Sequence, residues 1–148
     1  MILAALLLGT VTAAIVDLRC RRIPNVLCAT LAFAGIAMPA TMGLTAAAGA
    51  LLAMAVALCI GTMVFEAGWL GGGDVKLVAA CCAVVGAPNS VPLVLEILIA
   101  GGVLSLGALL LRRSAGVAAV TVPYGLAIAG GSLSFSLSTV IPNLRIPL

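Results

Sequence analysis

The chain has 148 residues, of which 64% are apolar, 7% charged and 3% aromatic, with 7 Lys+Arg against 4 Asp+Glu. A soluble domain carries about 45–50% apolar and about 25% charged residues, so the composition excludes one and implies a single all-α, polytopic membrane domain over residues 1–148. With no histidine, Ser–His–Asp triads, Cys–His dyads and histidine-based zinc sites are excluded as well.

A membrane-crossing helix needs roughly 20 mainly apolar residues, and the uncharged runs divide accordingly. The first runs from Met1 to Val16 and ends at Asp17, with Arg19, Arg21 and Arg22 just beyond. A basic cluster after the apolar stretch reverses the order of a cleaved signal peptide, so this helix is expected in the mature protein. No charge occurs from Ile23 to Phe65, a length for two helices, with a hairpin near Pro39–Gly43. Glu66 and the glycine-rich segment Gly68-Trp-Leu-Gly-Gly-Gly-Asp74 follow. The fourth span, Val75 to Val85, is short for a bilayer unless the glycine segment enters the membrane too, as a re-entrant loop. A turn is expected over Gly86–Pro92, a fifth span over Leu93–Leu111, and a sixth through Pro123 to about Ile141.

Six spans sort the charges. The ends after spans one, three and five then share one side and hold Arg19, Arg21, Arg22, Lys76, Arg112 and Arg113, leaving only Arg145 opposite. The positive-inside rule places that side in the cytoplasm and both termini outside it. The positive excess thus reads as topology rather than nucleic-acid binding.

Four acids remain to be explained, because ionisable groups at membrane segments are costly. Asp17, Glu66 and Asp74 fall at the cytoplasmic ends, and Glu96 near the other face, where it is expected to snorkel. Taken singly, Asp17 reads as an interfacial acid paired with a neighbouring arginine, and Asp74 as a first-turn acid favoured by the helix dipole. Together they read differently. Two full passes separate them and return the chain to one face, so the carboxylates can meet across the bundle. Such a pair shares one proton, and can take a proton from water while donating one to a peptide carbonyl. The run Gly71-Gly72-Gly73 leaves bare backbone able to adopt φ > 0 and to pair with an extended substrate strand. The five cysteines form no C-x-x-C pair and read as packing, so neither a metal nor a cofactor is expected.

These residues resemble the prepilin peptidase family, the GxGD class of intramembrane aspartyl proteases. The resemblance rests on Asp17-Leu-Arg-Cys-Arg-Arg-Ile-Pro-Asn25, on Gly71-Gly-Gly-Asp74-Val-Lys-Leu77, which fits G-x-G-D, and on Val-Pro-Tyr-Gly125. It implies catalytic aspartates at Asp17 and Asp74, a loop shaped by Gly71 and Gly73, and removal of the basic leader of type IV prepilin-like precursors at the cytoplasmic membrane face. Larger members carry an N-terminal domain with two C-x-x-C pairs. Lacking these, the chain looks like the short form associated with Flp (tight-adherence) pili in the bacterial inner membrane. Presenilin-type relatives have a Tyr-Asp first motif, whereas Val16 precedes Asp17 here. Two other classes compete: a transporter or channel component using the acids for ion contacts, and a pilus-assembly scaffold. Of the remaining polar residues, Asn25 reads as a helix-start residue, Lys76 as a headgroup contact or a modulator of the acids, Trp69 as an interface anchor, and Tyr124 as a belt residue or a neighbour of the pair.

Overall fold

The computed structural model describes the backbone of residues 2–115 and 124–141, and the side chains of these except 112–115. Among these residues there are six helices: α1 (Ile2–Cys20), α2 (Asn25–Ala40), α3 (Leu44–Glu66), α4 (Gly72–Val85), α5 (Ala87–Ala115) and α6 (Tyr124–Val140). Helix number and order match the sequence expectation. Pro123 and Arg145 fall outside the described residues, as do the side chains of Arg112 and Arg113.

The helices form a ring around a centre. α1 packs on α2, α2 on α3, α3 on α5, α5 on α6, and α6 back on α1, while α4 touches all five. Composition explains the centre. From Leu77 to Val85 α4 is buried at every position but Val78, and five of those residues are Ala79, Ala80, Cys81, Cys82 and Ala83. Small side chains on all faces let the other helices close around it, and a helix apolar all round belongs in an interior. The closest approaches lie at glycines. A Cβ on Gly35 of α2 would stand 2.7 Å from the Val84 nitrogen, and one on Gly131 of α6 would stand 2.4 Å from the Ile97 Cα.

The ring's outer surface is apolar. Leu8, Phe33, Leu52, Ile60, Met63, Leu98 and Val103 are exposed, and an apolar envelope of that extent requires a membrane around it. α1, α3 and residues Ala87–Leu111 of α5 are each long and apolar enough to cross one. α2, α4 and α6, with 16, 14 and 17 residues, are shorter than the six expected spans require, and α4 reaches only about 21 Å against a hydrocarbon core of about 30 Å.

Two boundaries differ from expectation. α1 does not stop at Val16 but continues through Asp17 to Cys20, where Arg21 takes a left-handed φ of 50° and returns its N–H to the Asp17 carbonyl. The turn expected over Gly86–Pro92 shrinks to Gly86 (φ 75°), which caps α4 through a hydrogen bond to Cys82. α5 starts at once, because Pro88 sits in a first turn whose N–H groups need no helical partner, and the helix carries Pro92 inside it.

Candidate active site

Asp17 reaches the site because α1 runs one turn further than its apolar stretch. Its side chain is buried, whereas Arg19, Arg21 and Arg22 are all exposed. The interfacial-acid reading of Asp17 is therefore set aside: the carboxyl points inward, away from the basic cluster. Its Oδ2 accepts a hydrogen bond of 3.0 Å from the Gly125 N–H in the first turn of α6. A free N–H at a helix start is a natural partner for a carboxylate. Gly125 also makes the room, since a Cβ there would stand 2.9 Å from both the Asp17 Cβ and Oδ2.

Asp74 comes from the first turn of α4 and is half-buried. Gly71 is the N-cap and Asp74 the third helical residue, the place of the acid in a capping box. The carboxyl folds back toward the Gly71 N–H and lies within electrostatic reach of Asp17. Residues two helices apart in sequence therefore gather at one end of the bundle. Tyr124, half-buried beside Gly125, lies within electrostatic range of Asp74 and packs against the apolar core.

The glycine run is shorter as loop than the sequence implies. Gly72 and Gly73 are helical, and none of Gly71, Gly72 and Gly73 has positive φ. The non-helical stretch is 67–71, with Gly68 at φ 77° and Gly71 extended at φ −76°, ψ 146°. What the run supplies is space. A Cβ on Gly71 would meet Asp74 Oδ2 at 2.8 Å, and one on Gly73 would meet the Ile23 Cβ at 3.3 Å. One on Gly72 would make only ordinary contact, 3.5 Å from the Phe65 ring. Gly72→Ala is accordingly expected to leave the Asp74 carboxyl in place and Gly71→Ala to displace it, read as activity near normal in the first and largely lost in the second at matched protein level.

Contacts between elements hold the two motifs together, and sequence spacing did not reveal them. Lys76 Nζ donates to Asn25 Oδ1 at 3.0 Å, and Cys28 Sγ approaches the Gly73 carbonyl at 3.9 Å, joining the start of α2 to the start of α4. Glu66 ends α3 exposed. Glu96 does not simply reach for an interface: its Oε2 accepts a 2.7 Å bond from Ser134 Oγ, linking α5 to α6. Cys28, Cys81 and Cys82 are buried, while Cys20 and Cys59 are exposed, so packing accounts for three of the five.

The family model described as the type IV leader peptidase family matches residues 3–106, a stretch that holds both aspartates and the glycine run. No curated protein and no solved structure matches the chain.

Proposed function

Since the chain belongs to the type IV leader peptidase family, we propose that it is an aspartic-type endopeptidase in which Asp17 and Asp74 together activate water. The observation that carries this reading is the gathering of a buried Asp17 and a first-turn Asp74 at one end of the bundle. One carboxylate takes a proton from the attacking water. Its protonated partner donates to the carbonyl oxygen as the tetrahedral intermediate forms, and the departing amine then receives a proton as the C–N bond breaks.

The substrate is a type IV prepilin-like precursor of the Flp class, cut between its basic leader and its apolar segment. All six helices lie in a bacterial inner membrane, with α4 shielded inside the ring and the acid pair at the cytoplasmic face. The basic residues Arg19, Arg21, Arg22 and Lys76 occupy that face, and both termini lie across the membrane. The non-helical stretch ending at Gly71, with Gly72 and Gly73 behind it, presents backbone to the extended scissile segment. A helical peptide would shield its carbonyls from attack, so the substrate must unwind there.

Co-expression of the full chain with an Flp-type precursor tests the reading. The precursor should shorten by the mass of its leader, and chelators and thiol-blocking reagents should leave the cleavage intact. An uncut precursor in membranes that contain the protein overturns it.

A further inference from the structure

From the starts of α2 and α4, a groove of about 240 Å³ runs between α2 and α3 with α4 as its floor. Its two ends differ in chemistry. At the end nearest Asp74 stand Asn25 and Lys76, both exposed. Lys76 is the only lysine in the chain, and its Nζ is held 3.0 Å from Asn25 Oδ1. An ammonium has three donors, so this bond leaves two of them, and the Asn25 amide NH₂, free to face a ligand. Beyond that end the groove is apolar, with Ala29 and Ala32 on the α2 side, Met54 and Leu58 on α3, and Ala79 and Ala80 beneath.

We propose that this groove binds an anionic phospholipid, its phosphate on Lys76 and Asn25 and one acyl chain laid along the alanine floor. Charge complementarity selects the head: a cation and an amide donor converge where the groove meets the membrane boundary, and anionic lipids are drawn to basic residues at that depth. Size selects the tail. From Asn25 to Ala32 is about 10 Å along α2, and a transmembrane helix about 10–12 Å across needs several hundred Å³ over that length. The available volume is below even the 300–1,000 Å³ of sites that enclose whole small molecules. It suits a single hydrocarbon chain with its headgroup outside. The lipid would brace the starts of α2 and α4, the two segments on either side of the Cys28–Gly73 contact. The proposal rests on placing this end of the bundle at a membrane face, not on the aspartates being catalytic, so its failure leaves the peptidase reading standing.

Native mass spectrometry of the purified full chain tests it, offering phosphatidylglycerol and phosphatidylcholine of matched acyl length. The wild type should retain phosphatidylglycerol at least about fivefold over phosphatidylcholine, the ratio that corresponds to about 1 kcal/mol for one basic residue. Lys76→Gln keeps a donor for Asn25 and should bring that ratio to about one. A phosphatidylglycerol with a photoreactive group in its acyl chain should label α2 and α3 around Ala29 and Leu58. Equal preference in wild type and Lys76→Gln, or labelling confined to other helices, overturns the proposal. Displacement of the lipid by a precursor peptide assigns the groove to substrate and overturns it too.

Discussion

Replacing Asp74 with asparagine is expected to abolish leader removal while the protein still accumulates in the membrane, and Asp17→Asn should do the same. Each exchange is nearly isosteric. An asparagine oxygen at position 17 can still accept from the Gly125 N–H, which now holds Asp17 Oδ2 at 3.0 Å, so the fold survives. What goes is a group that can carry a proton. General acid–base catalysis contributes about 10²–10⁴-fold, and in the proposed mechanism removing one carboxylate leaves the other without its proton partner. The double variant should therefore be no worse than either single one, because groups that act as a unit are not additive. The assay is the size of a co-expressed precursor, with the protein level measured in the same membranes. Normal processing by either single variant would end the two-carboxylate mechanism. A double variant much slower than both singles would mean that the acids act independently.

The helix count, the hairpin after Pro39 and the return of Asp17 and Asp74 to one end of the bundle were legible from chain order alone. They depend on where apolar runs break and on how many passes lie between two acids. α4 was harder to read. A helix surrounded on every side has no polar face and so no amphipathic period, and its length falls short of a bilayer. Only its string of Ala and Cys hints that other helices close around it. Pro88 and Pro92 read as turn residues, yet a helix start tolerates proline, and α5 begins at Ala87. The three glycines before Asp74 suggested an open loop, whereas two of them are helical and serve by lacking side chains. The pairings Lys76–Asn25, Ser134–Glu96 and Gly125–Asp17 had no sequence signal, because each depends on how two helices face one another. Tyr-Gly at the opening of the last helix was visible as a motif, with Tyr124 read as a belt residue or a neighbour of the acids, but not the Gly125 N–H as the group that meets Asp17.

Gly125→Ala is expected to cost about as much activity as a misplaced catalytic group does, although position 125 carries no chemistry of its own. The new methyl would stand 2.9 Å from the Asp17 Cβ, an atom fixed to the α1 backbone, as well as 2.9 Å from Oδ2. Rotating the carboxylate away relieves only the second contact. α6 must therefore retreat from α1 or the Asp17 side chain must leave its place, and either one lengthens the Gly125 N–H bond to Oδ2. A shift of about 1 Å in a catalytic constellation can cost about 10²-fold, whereas overpacking typically costs about 1–3 kcal/mol of stability. The variant should thus fold and accumulate, with kcat lowered by about 10²-fold and KM changed little, since the glycine stretch beside Asp74 is untouched. Gly130→Ala is the control on the same helix. Its methyl would lie 3.8 Å from the Ala100 Cβ, an ordinary contact, and cleavage should stay near normal. Steady-state kinetics on a precursor peptide, with thermal unfolding of both variants in detergent, separates the outcomes. Full activity in Gly125→Ala would show that the α6 start does not set the position of Asp17. Equal losses of activity and stability in both variants would assign the effect to general packing of α6.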